Sequence, residues 1–214
     1  MIALEIWSDP VCPWCFIGKA RLDRALEQRP DHPFQIRWMP FQLNPDMPPG
    51  GMDRAGYLAL KFGAEGVVNA YAPVVEAAEE TGLDLNLPAI TRMPNTLDAH
   101  RLTHWAGLEG RQSVVVNRLF RAYFQQGQDI GDRTVLTALA GEAGLDRALI
   151  TRLLESDADC DLIRDADRSA RERGISGVPF FILDQSHAIS GAQPTALWLD
   201  VIDQIMGASP GGAA

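Results

Sequence analysis

The sequence predicts an α/β fold in which a βαβ unit at the start of the chain and a ββα unit near its end flank a large all-helical insertion. Three observations carry this expectation. An apolar run over residues 2–7 leads into a Cys-x-x-Cys that opens a helical pattern. Helical periodicity then continues, with no strand-like run, from about residue 53 to about residue 173. After Gly174 the chain turns extended at Val178–Leu183, and a turn at Asp184–Ser186 leads into a second extended piece.

Taken in order, Ile2 to Trp7 is apolar except for Glu5, the pattern of a strand buried on both faces. Behind the cysteines, Phe16, Ile17, Leu22, Ala25 and Leu26 suit one helical face, and Pro30 stands where that helix must stop. Phe34 to Trp38 alternates apolar and polar residues and marks a second strand. Gln42 to Gly51 is dense in proline and glycine, a connecting composition. In the insertion, Val67, Val68, Tyr71, Val74, Val75 and Ala78 form one helical stripe, and Leu119, Phe120, Tyr123 and Phe124 another. Asn95, followed by Asp98, resembles a cap for a helix carrying Leu97 and Leu102. Val178–Leu183 and His187–Ser190 read as a hairpin, and Leu197, Trp198, Val201, Ile202 and Ile205 as the buried face of a last helix. Trp38, Trp105 and Trp198 sit on apolar faces and read as core. This βαβ…ββα order is that of the thioredoxin fold, with residues 1–42 and 161–207 as its two parts, 43–160 as the helical insertion and 208–214 as a disordered tail.

The 214 residues are 46% apolar and carry a net charge of −9. No Lys or Arg cluster exceeds a pair, which argues against a nucleic-acid backbone or an anionic membrane as partner. The first residues lack the pattern of a secretory signal, and no segment approaches the roughly 20 apolar residues of a membrane span. A cytoplasmic location is therefore expected, where a close cysteine pair is catalytic or metal-binding rather than a structural bridge.

A Cys-x-x-Cys between a buried strand and a helix puts Cys12 at the helix N-terminus, where free backbone N–H groups and the helix dipole favour a thiolate. Cys12 is the expected nucleophile. Cys15, one turn further, is placed to attack a mixed disulfide formed at Cys12 and so resolve it. Pro13 suits the first turn because its missing N–H is not needed there. A zinc site would need two more ligands. The other cysteine, Cys160, stands alone in a helical segment, and His32, His100, His104 and His187 form no second close pair of finger spacing. His100 and His104 share a helical face at i and i+4 but lack an evident third ligand, so no metal is expected.

The stretch Ser8-Asp9-Pro10-Val11-Cys12-Pro13-Trp14-Cys15-Phe16-Ile17-Gly18 resembles the DsbA-like superfamily, and within it the FrnE-type branch. Phe41–Pro45, Asn95–Arg101 and Gly174–Phe181 are similar to the same branch, so the likeness spans nearly the whole chain. It implies a thiol-disulfide oxidoreductase acting on a thiol or disulfide substrate, protein or small molecule. Pro179 is then a cis-proline opposite the cysteines, and the Val178 backbone pairs with the bound substrate chain. Pro13, Trp14 and Asn44 are further substrate contacts. Glu5 is similar in place to the buried acid of thioredoxin and DsbA, with one extra residue before the first cysteine, and is the expected proton partner of Cys15. Trp14 stands where DsbA has a histidine, which implies a less extreme thiolate and favours a reductase, isomerase or glutathione-linked role. No tightly bound cofactor is expected, with glutathione as a co-substrate and a homodimer as the family-level assembly. Relatives also include 2-hydroxychromene-2-carboxylate isomerases and kappa-class glutathione transferases, so a glutathione-dependent isomerase or transferase is the alternative. Those enzymes usually carry serine in place of Cys12.

Overall fold

The structure is a computed structural model that describes residues 1–63 and 66–207; the tail expected at 208–214 lies outside the described residues. Strand β1 (Ile2–Ser8), helix α1 (Pro13–Gln28) and strand β2 (Phe34–Pro40) form the first unit, with β2 parallel to β1 from Ile2↔Phe34 to Ser8↔Pro40. Strands β5 (Phe180–Leu183) and β6 (His187–Ser190) and helix α9 (Thr195–Gly207) complete the fold, excluding two short strands named below. The sheet order is β2-β1-β5-β6, with β1 antiparallel to β5 and β5 antiparallel to β6.

The central position of β1 explains its nearly unbroken apolar run, because side chains on both of its faces are covered. Successive residues alternate between the two faces. Leu4 and Ile6 join a large core with Cys15, Phe16 and Leu22 of α1, Phe181 of β5 and Trp198 of α9. Phe181 and Trp198 meet edge to face at 4.7 Å between centroids. Trp7 and Ile182 join a second cluster on the other face, with Phe41, Ala170 and Ile175.

The insertion holds α2 (Arg54–Phe62), α3 (Gly66–Glu80), a 3-10 turn (Leu87–Ala89), α4 (Leu97–Leu108), α5 (Gln112–Phe124), α6 (Arg133–Glu142), α7 (Arg147–Glu155) and α8 (Cys160–Glu172). The expected 160/161 boundary therefore falls within the first turn of α8. Phe16 stacks on Phe120 at 5.2 Å and on Phe124 at 5.8 Å, which docks α5 on the cysteine-bearing helix.

Two expectations need correction. A two-stranded ribbon, β3 (Met52–Asp53) with β4 (Arg92–Met93), interrupts the stretch read as wholly helical; two-residue strands are too short to leave a period. In α3, Val74, Ala77 and Ala78 are buried, whereas Val68 is 73% and Val75 is 40% exposed. Those two lie one residue, about 100° of helix turn, beyond the narrow line that α3 buries.

At the β2 edge, the Gln112 side chain takes the place of a further strand: its Oε1 accepts from the Trp38 N–H at 2.9 Å and its Nε2 donates to the Trp38 carbonyl at 2.9 Å. Asn95 acts as anticipated at the start of α4, its Oδ1 accepting from the Leu97 N–H at 2.9 Å.

Candidate active site

Cys12 is the N-cap of α1, in extended conformation with Pro13 following in the first turn. Its N–H donates to the Asp9 carbonyl at 2.9 Å, and its carbonyl accepts from Cys15 N–H at 3.1 Å, so a tight turn joins β1 to the helix. No acidic residue stands in the first turn of α1. A negative charge on Cys12 therefore meets the positive end of the helix and no opposing carboxylate there. The three cysteines are free thiols.

The Cys12 sulfur donates to the Val178 carbonyl at 3.5 Å, across the Val178–Pro179 peptide, which is cis. Gly18 allows this approach: a Cβ there would stand 3.1 Å from the Pro179 ring. Cys12, Pro13, Trp14, Asn44 and Val178 line one cavity of about 240 Å³, together with Tyr57 and Lys61 of α2. Lys61 donates to the Tyr57 hydroxyl at 2.8 Å, and that hydroxyl donates to Asn44 Oδ1 at 2.8 Å. The Lys61 ammonium also lies 5.3 Å from the Tyr57 ring centre and 5.8 Å from that of Phe62. Tyr57 and Lys61 had no signal in the sequence beyond an ordinary amphipathic helix.

Cys15 is sealed, at 1% exposure. Burial pushes its thiol well above the ordinary range and the adjacent Cys12 adds to this, against hydrogen bonds from the Ser8 hydroxyl and the Asp9 backbone. Cys15 is thus protonated at neutral pH.

Glu5 lies on the other face of β1 from Leu4 and Ile6, which share the large core with Cys15. It pairs with Ile182 on the face that carries Trp7, and its Oε2 is buried without a hydrogen-bond partner among the described residues. Strand parity makes a one-residue offset a change of face, which corrects its expected role as proton partner.

A different acid lies behind the site. Asp9 is wholly buried, its Oδ2 accepting from Leu43 N–H at 2.7 Å and its Oδ1 from Val11 N–H at 3.4 Å. Burial raises its carboxyl to about 7, aided by the charge of Asp167 and opposed by hydrogen bonds from Leu43, Val11 and Thr96. His100 Nε2 is 3.8 Å from Asp9 Oδ1. Burial lowers His100 to about 4, opposed by Asp167 and by the Phe41 backbone. Asp167 on α8 accepts from Gln42 N–H at 2.7 Å and pairs with Arg171 at 3.1 Å, while Arg171 lies over the Phe41 ring and donates to the Gln42 carbonyl. Asp9 and Asp167 together pin the Phe41–Leu43 segment that delivers Asn44 to the cavity. The sequence signal was faint: two polar residues, Ser8 and Asp9, at the end of a buried strand.

His100 thus faces Asp9, while His104 lies at the open cleft beside β2. Among the described residues no group of three or more His, Cys, Asp or Glu is placed to hold a metal ion. Cys160 is a packed residue at the start of α8, 8% exposed. No described helix is long and apolar enough to cross a membrane.

Comparison with known proteins agrees with this geometry. The Bacillus subtilis (strain 168) protein YwbO is 32% identical over 192 residues, covering 89% of this chain and 90% of that protein. The crystal structure of a probable DsbA oxidoreductase, SCO1869 from Streptomyces coelicolor, superposes with a TM-score of 0.84 at 30% identity, covering 100% of this chain and 94% of that one. The cytosolic disulfide reductase DsbM from Pseudomonas aeruginosa, solved with GSH, shares the fold at a TM-score of 0.66 and 20% identity, covering 96% of this chain and 99% of that one. The family model for the DSBA-like thioredoxin domain matches residues 3–203, and with a sheet of this order and a Cys-x-x-Cys at this helix end, the chain belongs to the DsbA-like thioredoxin family.

Proposed function

We propose that the protein is a thiol-disulfide oxidoreductase in which Cys12 attacks and Cys15 resolves, with glutathione as a co-substrate. The observation that carries this is the contrast between two thiols one turn apart: Cys12 faces a cavity from a helix N-terminus, while Cys15 is sealed and held protonated by burial. In the reducing direction, the Cys12 thiolate attacks a substrate disulfide and releases one substrate thiolate, leaving Cys12 in a mixed disulfide. Cys15 then attacks the Cys12 sulfur, forms the internal disulfide and releases the second substrate thiol. Two glutathione molecules return the pair to thiols and leave as glutathione disulfide.

The cavity supports a small peptide thiol. Lys61 offers an ammonium for a carboxylate and Asn44 an amide, while the Val178 backbone offers an extended edge for pairing with a substrate chain. Pro13 and Trp14 form the wall beside the nucleophile. The GSH held by the Pseudomonas reductase is consistent with such a ligand. The uncharged Trp14 between the cysteines favours a reducing or isomerising role, which suits a glutathione-buffered compartment.

The test is a redox titration against glutathione buffers, with intact mass and thiol trapping reporting on Cys12 and Cys15. A reversible two-electron Cys12–Cys15 disulfide is expected. A persistent glutathione adduct on Cys12, with Cys15 inert, would instead favour a glutathione-dependent isomerase.

A further inference from the structure

The resolving step leaves a question of proton transfer, because Cys15 is buried and must lose its proton as it attacks. Its hydroxyl neighbour is Ser8. Ser8 also lines a small cavity of about 20 Å³ together with His100 and Thr103. That volume is enough for one water, which needs two to four polar partners, and Ser8, His100 and Thr103 supply three. His100 Nε2 is buried and has no hydrogen-bond partner among the described residues. The bond from the ring to the Phe41 backbone carbonyl therefore runs through Nδ1–H, which leaves Nε2 with a free lone pair. His100 and Thr103 also line a second, open cleft of about 660 Å³ between β2 and α4. Cys12 and Val178 belong to the separate substrate cavity.

The geometry points to a proton route behind the active site, in which Ser8 and one water in the small cavity connect the Cys15 thiol to the His100–Asp9 pair, opening to solvent through the cleft beside β2. This rests on the oxidoreductase function proposed above. As Cys15 attacks, its S–H proton passes to the Ser8 oxygen. The Ser8 proton passes to the water, a water proton to His100 Nε2, and the imidazolium gives its proton up to solvent in the cleft. The Cys15–Cys12 bond forms, the bond from Cys12 to the substrate sulfur breaks, and the substrate leaves as a thiolate. When the internal disulfide is reduced, Cys15 leaves as a thiolate and recovers its proton along the same path.

The charges at the far end suit a relay and not a store: burial keeps the His100 ring neutral, so it holds the proton only in passing to the open cleft, beside the Asp9 carboxyl, which titrates at about 7. The other ionisable groups facing the pair are Asp167, itself held by Arg171, and Tyr123, whose hydroxyl is pushed up by burial. Cys15 meets the Asp9 backbone from α1, and Thr96 adds an uncharged hydroxyl from the turn before α4.

The experiment is stopped-flow reaction of the reduced protein with 5,5′-dithiobis(2-nitrobenzoate). The first nitrothiobenzoate release reports attack by Cys12, and the second reports attack by Cys15 on the Cys12 adduct. His100→Asn, whose amide can still donate to Phe41, is expected to leave the first release within about twofold and to slow the second at least about tenfold, with a shifted pH midpoint. Thr103→Leu, which fills the small cavity while keeping His100, is expected to slow the second release alike. It decides the matter if His100→Asn fails to fold. A second release within about twofold of the unaltered protein in the folded variants, with an unchanged pH midpoint, would overturn the route. A single release from the unaltered protein would instead overturn the oxidoreductase function, and the route with it.

Discussion

The two sides of the α1 N-terminus differ in almost every physical respect. In front of Cys12 lies an open cavity whose one lining cation among the described residues is Lys61, bounded by main chain at Val178. Behind Cys15 lie a hydroxyl, a wholly buried carboxyl and a buried imidazole. One turn of helix, about 5 Å, separates them. Attack on a substrate needs access and a stabilised anion, whereas resolution needs a partner thiol that stays protonated until it is used. A strand ending in polar residues just before a helix provides both, since Cys12, itself only 4% exposed, lines the cavity while Cys15 lies behind it in the core.

The largest expected effect is on the front. Cys12→Ser should reduce turnover by at least about a thousandfold. Cys15→Ser should keep the first attack and accumulate a mixed disulfide on Cys12, seen as a glutathione adduct by intact mass. Equal loss of the first attack in both variants would erase the division of labour between the sides.

Lys61→Glu probes the cavity wall. Reversing this charge should raise KM for an anionic thiol substrate about tenfold and leave kcat and the KM for a neutral dithiol nearly unchanged. Equal effects on both substrates would mean that Lys61 supports α2 rather than binding charge.

The back side should show itself in stability against pH. Asp9 titrates at about 7 in the folded protein against a reference value of 3.8, so its contribution is full below about 3.8 and is lost as pH rises through about 7. His100 titrates at about 4 against a reference value of 6.5, so its contribution is full above about 6.5 and is lost as pH falls through about 4. Between about pH 4 and 6.5 the two slopes oppose, and denaturant titrations of the unaltered protein should show a shallow dependence. In His100→Asn the Asp9 slope stands alone, and stability should fall with rising pH by up to about 1.4 kcal/mol per unit. An unchanged profile would separate the two residues energetically.

The smallest effect is expected at Glu5. Glu5→Gln should alter the Cys15 step by less than about twofold, because the side chain occupies the other face of the sheet. A large change would return this carboxylate to the thiol chemistry.

The front was readable because its chemistry lies in contiguous residues: the cysteines, Pro13, Trp14 and the Val178–Pro179 step each carry a local signature. The strand and helix order followed from periodicity in the same way, and so did the aromatic face of α5. The back was not readable because Asp9, His100 and Asp167 come from three distant segments, each with an ordinary local explanation. His100 resembled half of a metal pair with His104, since one helical face joined them on paper, while tertiary packing turned His100 toward Asp9. Glu5 shows the limit of matching by position along a strand, where a single residue exchanges one face for the other. Lys61 and Tyr57 were hidden because α2 meets the cysteine helix only in three dimensions.

Gln112 has a consequence for how these molecules coexist in a crowded solution. By bonding both main-chain groups of Trp38, one amide side chain imitates the neighbour that a sheet margin would otherwise recruit from another copy. The margin at Trp38 is thereby closed to strand-by-strand growth, at the expense of one side chain. Protection against fibrous self-association is thus built in on the β2 side of the sheet, where the fold would otherwise have needed a further strand.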